Sequence, residues 1–296
     1  MDTDAHVSNA VEQGRICALA AQGQRDLAKR AAAYPELFSG APFDGALFSN
    51  IALAIAFGAP WCTVEELRVT NRAVLWGFAL DWQVDYLAKS RLEIDRLVES
   101  SLAVVDGATP APDDALGRFL AELCAELAAA PAYPRLHATW RAAVHRTVTA
   151  MAVEWDWKSA RQDLNGTLPT FDEYLANADN LACTVVNVAH WIHTGDEQTH
   201  RLLPELITAS DEVQRVLRLV NDLGTYRRDL EWGDLNAIML VADRAEVEQR
   251  IDALVQRCRD LLAPLTGSCP RQATYLARQI GFSSGFYRST DFWGAR

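Results

Sequence analysis

Two apolar stretches of the chain carry polar side chains at a spacing that could bind a metal. In residues 73–88, AVLWGFALDWQVDYLA, the charged side chains are Asp81 and Asp85. Four residues apart on a helix, both carboxylates lie on one face and repel each other. Large apolar neighbours cover much of the helix circumference, and burial of an unpaired carboxylate is costly. The stretch therefore indicates a cation, a metal or a water-filled cavity; the alternative is one acid paired with an arginine and the other at the rim.

The second stretch, residues 217–234, reads LRLVNDLGTYRRDLEWGD. Asn221, Thr225 and Asp229 recur every four residues, which places an amide, a hydroxyl and a carboxylate on one helix face over about 12 Å. This hard, low-charge set of oxygens suits a Mg²⁺ that keeps waters and shares its other positions with phosphate. Arg218 and Arg228 would add positive charge beside such an anion. The same spacing also occurs in ordinary amphipathic helices.

The elements that position these stretches are predicted to be helices throughout. Helix formers are frequent, strand-like alternation is hard to find, and proline and glycine fall between long helical runs. We predict helices at 8–33, 46–58, 63–89, 91–105, 113–129, 135–162, 171–194, 211–231, 245–263 and 270–286. Thr63 and Thr170 begin capping boxes, and Ser210 indicates another start. Short connections and the absence of a repeat predict one all-α domain over residues 1–296, with an N-terminal helix in 1–40.

Composition excludes several classes of protein. With 28 basic and 39 acidic residues the net charge is −11, so the chain has no electrostatic reason to bind nucleic acid or an anionic membrane. The six cysteines form no CxxC pair, which disfavours a disulfide scaffold or a zinc ribbon. The N-terminus is too polar for a signal peptide, and the longest apolar run, 51–61, is too short to span a bilayer. We expect a soluble, cytoplasmic protein.

Together, the two polar stretches resemble the paired metal motifs of bacterial class I terpene synthases. In that family an aspartate-rich DDxxD helix faces a helix carrying (N/D)Dxx(S/T)xxx(E/D). NDLGTYRRD matches the second motif at every defining position, whereas in ALDWQVD Trp82 replaces the second aspartate. The separation of about 140 residues fits as well, as does Phe78 three residues before Asp81.

This resemblance implies a helical bundle around a deep apolar pocket, capped by residues 287–296. It implies a carbon–oxygen lyase that uses three Mg²⁺ ions to remove diphosphate from a prenyl diphosphate, and a homodimer is plausible for the family. Arg228 matches the basic residue that contacts diphosphate. The implied metal ligands are Asp81, Asp85, Asn221, Thr225 and Asp229. The implied catalytic side chains are Asp81, Phe78 and Trp82.

The chain departs from the family at two points. Many members carry a diphosphate-sensing arginine four residues after the tyrosine of EYLxxR, where EYLANADN has Ala178. The C-terminal Arg-Tyr pair is reversed here, as Tyr287-Arg288. We therefore expect the diphosphate to be held by Arg228, Arg288, Asn177 and Tyr287. Similar departures occur among bacterial diterpene synthases, which favours geranylgeranyl diphosphate or, as an alternative, a pre-cyclised labdane diphosphate; farnesyl diphosphate is a further alternative. A non-catalytic helical lipid binder is the more remote alternative.

Aromatic side chains are expected to line the pocket, where each ring face could stabilise a carbocation by about 0.5–2 kcal/mol. The expected lining rings are Phe78, Trp82, Tyr86, Trp191, Phe286 and Trp293. Ordinary core packing is the alternative for any one ring. His190 and His193 are interpreted as hydrogen-bonded histidines, and Asp114 as part of a helix cap.

Overall fold

The computed structural model describes residues 3–163 and 166–294, which contain α-helices joined by short connections and no β-strand. The first seven helices are α1 (Thr3–Ala32), α2 (Pro35–Phe38), α3 (Gly45–Gly58), α4 (Val64–Trp82), α5 (Arg91–Val105), α6 (Ala115–Ala128) and α7 (Tyr133–Gln162). The other seven are α8 (Phe171–Ala176), α9 (Cys183–Thr194), α10 (Glu197–Arg201), α11 (Leu203–Trp232), α12 (Arg244–Leu262), α13 (Leu265–Ser268) and α14 (Pro270–Phe286). The all-α prediction is confirmed. Within the described ranges, no helix combines the length and the apolar character that crossing a membrane requires.

Most predicted helix starts agree with the structure because their caps are local. Thr63 and Thr170 each form a complete capping box with the glutamate three residues later. The carboxylate of Asp114 accepts the backbone N–H of Gly117 at 2.7 Å, as expected of a helix cap. Helix α4 does not continue as an α-helix to residue 89, because a π-helical turn over Gln83–Leu87 extends it.

Two predicted elements are wrong. The helix expected over 171–194 is broken, with α8 ending at Ala176, a 3₁₀ turn over Ala178–Leu181, and α9 beginning at Cys183. Ala182, at this break, has a left-handed φ of 57°. The start expected at Ser210 is also wrong, because α11 begins at Leu203 with a proline in its first turn. Ser210 instead lies buried within α11 and accepts a hydrogen bond from Asn187 Nδ2 at 2.8 Å.

Helix α9 lies at the centre of the core. Every residue from Thr184 to Ile192 is buried, and α9 packs against α4, α7 and α11. The ring of Trp191 is 0% exposed, which is why this residue belongs to the core. His190 is buried too, with Nδ1 2.9 Å from Thr70 Oγ1, and burial lowers its pKa to about 4. It is therefore a neutral, hydrogen-bonded histidine.

Helices α4 and α9 run antiparallel, and two contacts between them show which residues of α9 lie beside which residues of α4. Near the end of α4, a Cβ added to Gly77 would lie 3.4 Å from Ala182 Cβ. Near its middle, Thr70 contacts His190. The break before α9 and the carboxylate of Asp81 therefore lie at the same end of the bundle.

We predict that Gly58→Ala lowers the free energy of unfolding by about 1–3 kcal/mol through overpacking. The added Cβ would lie 2.9 Å from Tyr275 Cε2. That ring is 1% exposed and stacks on His190 with centroids 4.8 Å apart, so it has no space to move into. Urea unfolding followed by circular dichroism measures the change.

The matched control is Gly281→Ala in the middle of α14, where the added Cβ meets no heavy atom within 4 Å. This variant should match wild type or gain about 1 kcal/mol in helix propensity. Equal unfolding midpoints for the two variants would contradict the packing described at Gly58.

Candidate active site

A deep cavity lies between α3, α4, α7, α9, α11 and α14. Its walls are largely apolar away from the ends of α4 and α11, with Ile51, Ile55, Val74, Val186 and Phe282 among the lining side chains. The empty space measures about 1720 Å³ with the open mouth included. Because that figure includes open solvent, it does not select one length of apolar ligand.

Carboxylates gather where α4 ends. Asp81, Asp85 and Asp234 all line this part of the cavity, here called the acidic end. Burial, and then the neighbouring charge of Asp234, raise the pKa of Asp81 to about 7. Burial and the charge of Asp81 raise the pKa of Asp85 well above its usual range. With these carboxyls ionised, the acidic end would carry more negative charge than its own cations balance, so the carboxyls hold protons more tightly and a bound cation would favour their ionised form.

The opposite wall of the acidic end is built by α11. Thr225 Oγ1 donates to Asp229 Oδ2 at 2.7 Å and lies 3.5 Å from Asn221 Oδ1, so the three oxygens form a continuous ladder. Asn221 and Asp229 line the cavity, and Thr225 is buried directly between them. Asn236 Nδ2 donates to Asp229 Oδ2 at 2.8 Å and fixes that carboxylate. The helical spacing thus brings together the oxygen set expected of the second motif.

Two cations flank the acids. Lys158 Nζ lies 2.5 Å from Asp234 Oδ1 and donates to the backbone oxygen of Asp85 at 3.1 Å. Arg228 NH2 donates to Asp229 Oδ1 at 3.0 Å, and its NH1 lies 3.1 Å from Asp291 Oδ2. Sequence reasoning missed Lys158 and Asp234, because they lie 76 residues apart and neither has a local motif. Only the fold brings them to the metal motifs.

The oxygen donors of the acidic end fit a metal that keeps part of its hydration shell. Among the described residues, no three His, Cys, Asp or Glu side chains lie close enough to hold one ion between them. The α11 ladder instead supplies one carboxylate with an amide and a hydroxyl, while α4 supplies the carboxylate of Asp81 and the π-helical turn after it that of Asp85. Mg²⁺ is commonly bound by one or two carboxylates, with waters and substrate phosphates completing the octahedron.

A buried arginine stands beside the helix break that precedes α9. Arg218, 2% exposed, pairs with Glu154 at 2.8 Å and donates to the backbone oxygen of Asn177 at 2.9 Å. Its guanidinium lies 3.7 Å from the ring centroid of Tyr174, whose hydroxyl donates to Asp222 at 3.0 Å. Arg218 therefore places a positive charge against the segment in which Ala178 replaces the family's arginine.

Several residues expected at the pocket lie outside its lining. Trp82 is rotated about 100° from Asp81 around the helix and packs on Tyr86, with ring centroids 4.4 Å apart. Phe286 packs on other aromatic rings of the C-terminal region, and Arg288 is exposed. The Asn177 amide donates to the backbone oxygen of Ala150 at 2.9 Å.

The structure therefore corrects the pocket positions expected for Trp82, Phe286, Arg288 and Asn177. It also corrects that of Trp191, which lies in the core. The expected residues that do line the cavity are Phe78, Asp81, Asp85, Tyr86, Asn221, Arg228, Asp229, Tyr287 and Trp293.

The segment after α14 closes one side of the acidic end. Asp291 is buried against Arg228, and Phe292 and Trp293 line the cavity. Both rings contact Phe78, with centroids 5.6 and 5.0 Å from its own. The last two residues of the expected cap, 295–296, lie outside the described residues.

A helical bundle that joins metal-binding oxygens and cations to a long apolar cavity is the architecture of enzymes that ionise an apolar substrate with an anionic leaving group. The chain belongs to terpene synthase family 2, whose model, described as C-terminal metal binding, matches residues 72–263. It is a lyase of the terpene synthase class, as the two motifs predicted.

Its relatives cover nearly the whole chain. Ent-pimara-9(11),15-diene synthase from Streptomyces sp. (strain KO-3988) is 28% identical over 276 residues, 91% of each protein. The fold is similar to 2-methylisoborneol synthase from Streptomyces coelicolor A3(2) in complex with Mg²⁺ and geranyl-S-thiolodiphosphate, with a TM-score of 0.73, 17% identity, and coverage of 93% of this chain and 92% of that one. Linalool/nerolidol synthase from Streptomyces clavuligerus, in complex with 2-fluorogeranyl diphosphate, gives a TM-score of 0.69 at 18% identity, over 91% and 94% of the two chains.

We predict that Arg218→Met lowers the free energy of unfolding by about 3–5 kcal/mol, because it removes the buried guanidinium that pairs with the partly buried Glu154 carboxylate. Adding Glu154→Gln should recover part of that loss. Arg244→Met removes an exposed ion pair with Glu248 and should cost no more than about 0.5 kcal/mol. Urea unfolding of the four proteins measures these differences, and equal losses for the two arginine variants would contradict a buried pair.

Proposed function

We propose that this terpene synthase is a Mg²⁺-dependent diterpene synthase that ionises geranylgeranyl diphosphate and cyclises the resulting carbocation. The observation that carries the proposal is the pairing of two oxygen-rich walls at one end of a cavity that is otherwise mostly apolar. Support for a C20 substrate comes from the relative named as a diterpene synthase, which aligns over 91% of this chain.

The acidic end would hold the diphosphate with three Mg²⁺ ions, bound by Asp81 and Asp85 on one wall and the Asn221–Thr225–Asp229 ladder on the other. Bound Mg²⁺ supplies positive charge that stabilises the leaving diphosphate. Arg228 reaches the same place from α11, and a phosphate oxygen could replace Asp291 as its partner. The positive charge of Lys158 offsets part of the negative charge of Asp81 and Asp85, and its ion pair with Asp234 orients that carboxylate beside them.

The apolar part of the cavity would shape and protect the carbocation. The rings of Phe78, Tyr86 and Trp293 line the cavity next to the acidic end, and each face could stabilise a cation by about 0.5–2 kcal/mol. Phe292 and Trp293 also cover the acidic end, which keeps solvent away from the allyl cation after ionisation. Trp82 supports this cover, since its ring centroid lies 5.8 Å from that of Trp293.

The test is product analysis by gas chromatography–mass spectrometry with geranylgeranyl diphosphate, with Mg²⁺ or with chelator. We expect a cyclic C20 product only with Mg²⁺. Asp81→Asn should lower turnover by about 10²-fold or more, because it removes a proposed carboxylate ligand of the Mg²⁺ that would stabilise the leaving diphosphate. Asp156→Asn removes a half-exposed carboxylate outside the cavity lining and serves as the matched control.

Wild-type turnover by Asp81→Asn would refute the role of this carboxylate. A product from farnesyl or labdane diphosphate alone would reject the C20 substrate and retain the chemistry. Tight binding of all three substrates without diphosphate release, whether or not Mg²⁺ is present, would favour the non-catalytic lipid binder.

We predict that Mg²⁺ binds more weakly at pH 6 than at pH 8. The pKa of Asp81 is raised to about 7, so below that pH the ion must displace a proton. Each displaced proton weakens the apparent affinity about tenfold per pH unit below 7. The same shift makes the metal-free protein lose stability as pH rises through 7, because the folded state holds the proton more tightly than the unfolded state. Calorimetric titration checks the prediction, and Asp81→Asn should flatten the pH dependence.

A further inference from the structure

The cavity contains a polar patch that loss of diphosphate does not use. It consists of Asn187 on α9 with Gln279 and Ser283 on α14, and all three line the cavity. We call it the amide patch. Gln279 Nε2 donates to Asn187 Oδ1 at 2.7 Å, and Asn187 Nδ2 donates back to Gln279 Oε1 at 3.3 Å. Asn187 is 0% exposed and also bonded to Ser210, so it holds the Gln279 amide in a fixed orientation.

The Asn187–Gln279 pair of the amide patch lies far from the acidic end, and Ser283 lies one helical turn, about 6 Å, nearer to it. The antiparallel register of α4 and α9 pairs Gly77 with Ala182 and Thr70 with His190, which places Asn187 at the level of residue 73. That level is eight residues, about 12 Å of helix, before Asp81.

The position of Gln279 on α14 independently gives the same distance from the acidic end. Gln279 precedes Tyr287 by eight residues, again about 12 Å, and the Tyr287 backbone lies against Gly224 beside the α11 ladder.

The patch retains hydrogen-bonding capacity at the cavity wall. The Gln279 Nε2 group has two hydrogens; the contact with Asn187 uses one, and the Tyr275 hydroxyl is the other protein group beside the Gln279 amide. Ser283 follows Gln279 by one helical turn on the same face, and its hydroxyl makes no hydrogen bond within the described residues. Buried donors left against hydrocarbon are costly, whereas a water with two or more polar partners satisfies them.

We propose that Gln279 and Ser283 hold a water molecule that adds to the final carbocation, so that this synthase releases an alcohol. The inference rests on the proposed cyclase function and concerns how that reaction ends. A lone pair of the water forms a C–O bond to the cationic carbon, and the resulting oxonium passes one proton to a second water. The products are the cyclic alcohol and hydronium, with no change in oxidation state.

The depth of the patch explains why such a water would not quench the reaction early. Ionisation creates the allyl cation at the acidic end, about 12 Å of helix away. When a distal double bond attacks that cation, the positive charge moves to the distal carbon, toward the amide patch. A water held there meets cations formed late and is too far from the first one to hydrolyse it.

The experiment runs the purified synthase with geranylgeranyl diphosphate and Mg²⁺ in H₂¹⁸O. Diphosphate release reports ionisation, and mass spectrometry reports the ¹⁸O-labelled share of the product. We expect a labelled alcohol from wild type. Gln279→Met should lower that share, measured per diphosphate released, about tenfold in favour of hydrocarbon, the effect of losing one hydrogen bond to the water. Ser283→Ala should act in the same direction.

Gln272→Met is the matched control, since this glutamine lies on the same helix and bonds Thr199 outside the cavity lining. Normal diphosphate release with only unlabelled hydrocarbon from wild type would overturn the water site and leave the synthase function intact. An unchanged labelled share in both variants would do the same, and Ser283→Ala decides if Gln279→Met misfolds. Absence of diphosphate release with geranylgeranyl, labdane and farnesyl diphosphates would overturn both proposals.

Discussion

Unbalanced negative charge at one end of an apolar cavity is the constraint on which the rest of the structure depends. Asp81, Asp85 and Asp234 lie together, with Lys158 as the cation bonded to this group. Water screens these partly buried carboxylates less than it would at a surface, so the elements that carry them must be held by packing. Helix α9, buried from Thr184 to Ile192, supplies that packing, because it contacts both α4 and α11. The metal motifs are separated along the chain but share one central helix.

The same charge organises the groups around it. Arg228 is bonded to Asp229 and to Asp291, so a carboxylate of the C-terminal segment forms an ion pair with this cation. That contact draws Phe292 and Trp293 over Phe78. At the helix break, Arg218 and Tyr174 connect Glu154 to Asp222, the neighbour of the first ladder residue. Charged groups therefore connect the C-terminal segment, the helix break before α9 and the Asn221–Thr225–Asp229 ladder through contiguous contacts.

Helix periodicity accounts for what could be predicted from the sequence. The ladder on α11 and the two acids on α4 follow from four-residue spacing, and the capping boxes from three-residue spacing. Contacts between distant segments had no such signal, so Lys158 with Asp234 and Arg218 with Glu154 emerged only from the fold. The break at Ala182 was missed because neither proline nor glycine marks it. Trp191 was misplaced because α9 is buried on every side, and periodicity then cannot identify the face toward the cavity.

Helix α14 differs from α9 in a way that bears on how such enzymes diversify. It has an exposed face and a cavity face, and Gln279, Phe282, Ser283 and Tyr287 supply the latter. Substitutions on α9 disturb the core on all sides, whereas those on the cavity face of α14 alter the wall with less effect on the rest of the protein. Evolution or engineering toward new ring skeletons would therefore find more tolerated changes on α14, which can vary while the metal walls stay constant.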